Sequence, residues 1–510
     1  MTGVQFIRTP VLRLDPGDDV VIAVRQISAG THLTEEGIEC RGDIPAGHKI
    51  ATHDVATGAP LRRYGQIIGF ASTDIQAGDH VHSHNLAFEA FDRDYAIGHD
   101  VKPTRAAPGP ATFQGIRRAN GAVATRNYIG IVSTVNCSAS VSKFAAQHFT
   151  EERLAEFPNV DGVVSITHSS GCGMDGDGRG LEILRRTIAG YTRHPNFGGV
   201  VVIGLGCESN QMGALFATQG LDESDHLTSL VIQSTGGTRK TVAAAVEAVE
   251  TMLPVVNRVR RETCPASEIV VGLQCGGSDG YSGITANPAL GAASDVLVSH
   301  GGTVILSETP EVYGAEHLLT RRAVSSHVAE KLIAKTKWWE TYTALNGGSM
   351  DNNPSPGNKA GGLTTILEKS LGAITKGGTT NLVDVYDYAE PVTERGFVFM
   401  DTPGYDPVSI TGQVAGGANL ITFTTGRGSV YGCKPAPSVK LATNTELFER
   451  MPEDMDINCG DIIDGTVTVQ QKGQEIFDMW LRVASGDKTL SEELGIGSEE
   501  FIPWHQGAVM

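Results

Sequence analysis

Residues 128–157 read YIGIVSTVNCSASVSKFAAQHFTEERLAEF. The first eight form an apolar run without a charge, the pattern of a strand buried on both faces. Asn136 and Cys137 break that run. From Ser138 to Phe157 the apolar positions return to helical spacing, and Ser138 or Ser140 is placed to cap the first turn. Strand, polar turn and helix in that order make half of a parallel crossover unit. The succession recurs downstream. VDGVVSITH (160–168) leads through HSSGCGMDGDGRG into the helix LEILRRTIAGYTRH, and VVVIGLG (200–206) runs into CESNQ. Near Thr263 the pattern restarts with EIVVGLQ (268–274), and GGTVILSE, NLVDVYDY, GFVFMDTP and NLITFTTG supply further strands. Strands that alternate with helices predict a parallel sheet. The fold class is therefore α/β, with a large body of two parallel-sheet lobes at 116–260 and 261–510. The segment TVAAAVEAVETMLPVVNRVRRETCP (241–265) reads as a helix that runs into the second lobe.

Residues 1–95 follow another rule. VLRLDPGDDVVIAVRQI is a strand, a tight turn and a second strand. DIPAGHKIATHDV (43–55) and DIQAGDHVHSHNL (74–86) repeat one phrase, an Asp-Ile-x-Ala-Gly turn that opens a short alternating run. Short strands between glycine turns predict a small β-clip module. Residues 96–115 hold three prolines and little periodicity, so they read as a linker.

The chain has 510 residues, with 58 Asp and Glu against 40 Lys and Arg, for a formal charge of −18. That field disfavours nucleic acid and anionic membrane surfaces as partners. No apolar run is long enough to span a bilayer. The N-terminal residues do not make a signal peptide, so a cytoplasmic protein is expected. Eight cysteines, none in a CxxC pair, fit a reduced compartment and no disulfide scaffold.

Glycine, at 62 residues, is in excess, and much of the excess lies just after strands. TVNCSA (134–139), HSSGCG (168–173), GLGCESNQ (204–211), GLQCGGSDGYSG (272–283) and TTGRGSVYG (424–432) all place polar groups where a parallel sheet binds its ligands. NPSPGNKAGG (353–362) adds a rigid loop with Lys359, suited to a substrate carboxylate. GLGCES does not fit a dinucleotide fingerprint, and no GxxxxGK(S/T) phosphate loop is present. Cys172 or Cys275 beside His168 leaves a thiol nucleophile open. Seven of 15 histidines fall before residue 100. His80, His82 and His84 share one face if HVHSHN is a strand, and His48 and Lys49 occupy the matching place in the sister phrase.

These phrases, with RYGQIIGFA, RRANGAVATRNY, HPNFGG, ITANP and LATNTEL, span nearly the whole chain. They resemble the sugar-acid dehydratases that include altronate dehydratase and galactarate dehydratase. The resemblance implies an SAF-type β-clip module on a large catalytic body. It also implies an iron- or manganese-dependent hydro-lyase that converts a 2,3-dihydroxy acid to a 2-keto-3-deoxy acid. HVHSHN favours D-altronate as substrate, to give 2-dehydro-3-deoxy-D-gluconate; RRETCPASEIVVGLQCGGSD favours galactarate, and a related hydroxyacid is the remaining lyase reading. A noncatalytic sugar-acid sensor or assembly module is the alternative from another class. The expected partners are an anionic sugar acid and further copies of the chain, a dimer first.

Such a reaction needs a base for the carbon-2 proton and a stabilised enediolate. The expected catalytic residues are His168, Lys359 and Cys172. The expected ligands for Fe(2+) or Mn(2+) are Cys207, Glu208, Cys275 and His168, a soft and mixed donor set. Arg126 and Arg427 are expected to clamp carboxylate, and Asn136 and Asp279 to bind hydroxyls. His48, His82 and His84 reach substrate if the first module closes over the body.

Overall fold

The structure is a computed structural model that describes residues 9–507. In the first module, Val11–Leu12, Val20–Ala23, Lys49–Ala51 and His80–Val81 form one antiparallel sheet. Pro60–Arg63, Gln66–Ala71 and Leu86–Ala87 form another. The repeated turn occurs four times, not twice. Gly30, Gly47, Gly58 and Gly78 close equivalent turns at φ of 78°, 80°, 80° and 87°. Only glycine takes that left-handed conformation cheaply, so it marks each turn where the flanking letters have drifted. Two β-bridges, Ile27 with Ile44 and Val55 with Ile75, pair the turns. The strand at His80 ends at Val81, so His82 and His84 lie in the following turn.

The stretch expected as a linker becomes a strand at Thr112. Thr112–Arg117 pairs with Val123–Ala124 on one side and with Glu262–Pro265 on the other. It thereby clasps the start of one lobe to the start of the next.

The first lobe holds four parallel strands in the order Gly162–Ile166, Tyr128–Ser133, Phe197–Gly204, Leu227–Val231. Ile129, Ile131 and Val132 are fully buried, as a strand covered on both faces requires. The helix expected over 138–157 is divided into Ala139–Ala146 and Glu151–Leu154. Thr150 causes the second start: its side chain accepts from Arg153 N, and Glu151 and Glu152 follow in the first turn. The helix Thr238–Val256 ends at Val256, before the second lobe, and packs on the first sheet.

The second lobe holds seven parallel strands in the order Leu382–Tyr386, Gly396–Met400, Thr303–Leu306, Val270–Cys275, Leu420–Thr425, Ser438–Ala442, Ile457–Asn458. Chain order reverses direction at Val270–Cys275, which makes its carboxyl end the topological switch point. His194 Nε2 lies 3.0 Å from Ala418 O, and Thr125 Oγ1 donates to Asn419 O at 2.8 Å, which laces the amino ends of the two sheets together. The helices Arg179–Thr192 and Asp406–Ala415 pack so closely that a Cβ on Gly190 would lie 2.3 Å from Ala415 O. Among the described residues no helix is long and apolar enough to cross a membrane.

Candidate active site

The strand Val270–Cys275 delivers Cys275, buried, to the switch point, and Gly276 and Gly277 follow. A Cβ on Gly276 would stand 2.2 Å from Asp406 Oδ2, so the missing side chain is what admits that carboxylate. The neighbouring strand Thr303–Leu306 ends two residues before Glu308, whose φ is +66°. This is the left-handed region, which costs a non-glycine residue about 1–3 kcal/mol. The helix Ile366–Ala373 and the turn after it supply Lys369 and Lys376.

These groups form one buried charge cluster. Lys376 Nζ donates to Cys275 Sγ at 2.8 Å and lies 4.0 Å from Glu308 Oε2. Lys369 Nζ donates to Glu311 Oε1 at 2.6 Å and to Asn353 Oδ1 at 2.9 Å. Asn353 Nδ2 donates to the same Glu311 oxygen at 2.8 Å. Both carboxyl oxygens of Glu308 lack a hydrogen-bond partner. Burial pushes the Cys275 thiol up to about 12, and burial beside Glu311 holds Glu308 well above the carboxylate range. Glu311 is held below that range by Lys369 and Lys376, against its burial. Asp406 is raised to about 6, first by burial and then by Glu311. A cavity of about 420 Å³ opens on Cys275, Glu311, Lys369, Asn353 and Asp406.

A second cavity of about 610 Å³ lies between the first module and the body. His48, Arg25, Arg427, Arg450 and Asp279 line it, and the segment 353–362 divides it from the first. The histidines gather beside it. His48 Nδ1 is 2.9 Å from His80 Nε2, and His82 Nε2 is 2.8 Å from Lys359 O. The His80 and His84 rings are 5.5 Å apart. His48 thus reaches this cavity, while His82 is half-buried against Lys359 O and His84 is exposed. Asp279 is buried and accepts from Ser282, Thr443 and Asn444. Arg427 is exposed at the rim. Lys359 stands half-buried within electrostatic reach of Asp351 and makes no side-chain hydrogen bond.

The module is docked by charge. Glu368, fully enclosed, accepts from Lys49 at 2.9 Å and from Arg63 at 2.5 Å. These two cations hold its pKa at about 2 in spite of burial.

The four residues expected to share a metal do not meet. Cys275 belongs to the second sheet, and His168, Cys207 and Glu208 belong to the first. Glu208 serves as a loop cap: it accepts from Thr134 Oγ1 at 3.0 Å, from Leu205 N at 3.1 Å and from Gly206 N at 2.5 Å. His168 is buried, with Nε2 3.1 Å from Ser133 O and Nδ1 3.2 Å from Ser170 Oγ. Burial lowers its pKa to about 4. Cys172 and Cys207 are exposed. Arg126 is no free clamp either. It is buried, binds Glu492 at 2.7 and 2.9 Å, and donates to the carbonyls of Val483 and Asp487. Asn136 is exposed near His168, its Nδ2 3.4 Å from His168 O.

Among the described residues the one trio of such ligand atoms lying within 4.8 Å of one another is Cys275, Glu308 and Glu311. It does not fit a divalent ion as built. Lys376 and Lys369 already stand as its countercharges, and a dication would have to displace or deprotonate an ammonium.

Comparison with known proteins completes the description. Residues 9–89 match the altronate/galactarate dehydratase SAF domain, and residues 115–257 match the second domain of D-galactarate dehydratase/altronate hydrolase. Residues 266–509 match the C-terminal domain of D-galactarate/altronate dehydratase. The chain is 40% identical to the galactarate dehydratase (L-threo-forming) of Escherichia coli K12, over 96% of this chain and 95% of that protein. The chain belongs to the galactarate/altronate dehydratase family. The altronate dehydratase of Escherichia coli K12 is 37% identical over 93% of this chain and 95% of its own. The family's relatives extend to a (2R)-sulfolactate sulfo-lyase subunit beta of Chromohalobacter salexigens, 31% identical over 77% of this chain and 96% of that one. Glu308, Glu311, Lys369, Lys376 and Asp406 escaped the sequence reading. Their only signal is SETPE directly after a buried strand and two lysines in LEKSLGAITKG.

Proposed function

We propose that this chain removes water from a 2,3-dihydroxy sugar acid, D-altronate first, to give 2-dehydro-3-deoxy-D-gluconate. The observation that carries the reading is the buried cluster at the switch point in a chain whose relatives are dehydratases. The Lys369 ammonium and Asn353 are suited to hold the substrate carboxylate and the charge that develops on it as carbon 2 loses its proton. Asp406, which lines the cavity and titrates near 6, is suited to accept that proton near neutral pH. Glu308, kept neutral by burial, stands behind Lys376 as a reserve of protons for the departing hydroxyl. Because the trio around Cys275 does not fit the divalent iron or manganese that the family resemblance implies, no step is routed through an ion there.

Galactarate is the second reading, favoured by the 40% identity to the galactarate dehydratase. A panel of aldonates and aldarates, incubated anaerobically with ferrous iron and scored for 2-keto-3-deoxy acid, tests both. Product from altronate above all others supports the first reading, and product from galactarate supports the second. No product from any sugar acid overturns the enzymatic reading and leaves a sugar-acid-binding protein.

A further inference from the structure

Arg118, Arg193, Phe197, His226, Val255 and Val259 line a cavity of about 500 Å³ that the proposed reaction does not use. Phe197 opens the strand Phe197–Gly204 and Leu227 opens Leu227–Val231, so the cavity sits at the amino ends of first-lobe strands. The polar loops of that sheet follow the opposite, carboxyl ends. The volume suits a small organic molecule.

Apolar surface and charge divide the wall. Phe197, Leu227, Val255, Val256 and Val259 supply the apolar part, and Val255 is 37% exposed at the end of the helix Thr238–Val256. Arg117, Arg118 and Arg193 supply cations, and no carboxylate lines the cavity. In a chain of net charge −18 this is a local inversion of the field. Arg117 is already paired, since its Nε donates to Glu262 at 2.7 Å. Arg118 is half-buried and meets only neutral acceptors: Nε donates to Pro195 O at 2.7 Å and Nη1 to Asn127 Oδ1 at 2.9 Å. Arg193 is exposed and its side chain makes no hydrogen bond or ion pair among the described residues. Asp222, Glu223 and Asp225 precede His226 in the chain but do not line the cavity, and Glu223 accepts from Ser229.

Two helices end at this cavity, and their negative poles would by themselves repel an anion. Their last carbonyls are taken. Ala189 O accepts from Arg193 N, Tyr191 O from His194 N, Val255 O from Arg258 N and Val256 O from Asn127 Nδ2. The guanidinium charges of Arg118 and Arg193 therefore remain for a ligand. We propose that this cavity binds an amphipathic organic anion, with its charged group held by Arg118 and Arg193 and its aromatic or branched body on Phe197, Val255 and Val259. A sugar acid does not meet that description, because its hydroxyls would face the apolar wall unpaired.

The test uses the full chain and two probes that share one ring system. One is 8-anilino-1-naphthalenesulfonate; the other, N-phenyl-1-naphthylamine, lacks the sulfonate. Binding is followed by fluorescence and by calorimetry. The anion should bind saturably, one per chain, and tighter than the neutral probe by about tenfold or more, the worth of a hydrogen bond to a charged group. Arg193→Glu should abolish that margin and leave the melting temperature unchanged, because Arg193 bonds to nothing in the fold. Val255→Glu should weaken both probes. Equal affinity for the two probes, or sulfonate binding undiminished in the Arg193→Glu/Val255→Glu variant, overturns the proposal. Sedimentation supplies another decisive outcome. An oligomer that Val255→Glu dissociates, in a wild type that takes up no probe, would make this face a contact between copies of the chain and overturn the ligand site.

Discussion

The Nζ of Lys376 donates to the Sγ of Cys275 at 2.8 Å, and both groups are enclosed by protein. Burial favours the thiol while the ammonium favours the thiolate, and burial dominates. Lys376 is then, beside Lys369, a countercharge for the Glu311 carboxylate. Lys376→Met should leave Glu311 less well compensated and cost about 3–5 kcal/mol of stability. Urea denaturation measures it, and a loss under about 1 kcal/mol would remove Lys376 from this role. Cys275→Ser, which keeps a hydrogen-bond acceptor, should cost less.

Turnover should fall on the acid side with an apparent pKa near 6, the range to which burial and Glu311 raise Asp406. Asp406→Asn should cut kcat by about a hundredfold or more. The same change should stabilise the fold at pH 7. A carboxyl whose folded pKa is raised favours folding below its unfolded value near 4, and loses that advantage as pH rises through 6. Full activity in Asp406→Asn would eliminate this base.

Gly276→Ala gives a more local test. The added Cβ lands 2.2 Å from Asp406 Oδ2 and 2.7 Å from Cζ of the buried Phe423 ring, so both must give way. Displacement on this scale costs about a hundredfold in rate. The expected signature is a loss in kcat together with a drop in stability of about 1–3 kcal/mol from the displaced ring; unchanged kcat would remove the Asp406 position from the rate.

The His48 and His80 pair should make the chain acid-sensitive. Their pKa values fall from 6.5 to about 4 and about 3, chiefly through burial and then through neighbouring histidines. Both therefore remain neutral in the fold. As pH falls below about 6.5 the unfolded chain takes up protons that the folded one refuses, so stability falls steadily toward pH 4. Above pH 7 their contribution is complete. Melting temperatures at pH 7.5 and 5.5 should differ less in His48→Asn/His80→Gln than in the wild type. An equal difference would assign the acid sensitivity to His168 and His194, which burial also lowers to about 4.

Arg126→Lys should reduce stability and leave KM for the sugar acid unchanged, because the bidentate bonds to Glu492 and the carbonyl contacts demand a guanidinium. A rise in KM with unchanged stability would return Arg126 to the substrate.

The parallel sheets were readable in sequence because strands such as Tyr128–Ser133 and Val270–Cys275 are unbroken apolar runs that end on polar turns. Grouping those turns was another matter. Cys207 and Cys275 each follow a strand and fall in separate lobes, but nothing in the spacing says whether the two sheet edges converge. Arg126 and Glu208 carry the side chains of a binding site, and their work is structural because Glu492 and Thr134 lie beside them. The lysines of LEKSLGAITKG look like solvent-facing helix positions. Their burial depends on how the helix Ile366–Ala373 is wedged between module and body, a tertiary fact without a local signature.

That wedge joins two tasks in adjacent residues. Glu368 turns toward Lys49 and Arg63 of the first module, while Lys369 turns toward Glu311 and Asn353 in the cleft. A body whose module is missing or misfolded keeps a buried anion without countercharge one peptide bond from the cation that faces the substrate. One peptide bond therefore separates the residue that seats the module from the one that faces the cleft.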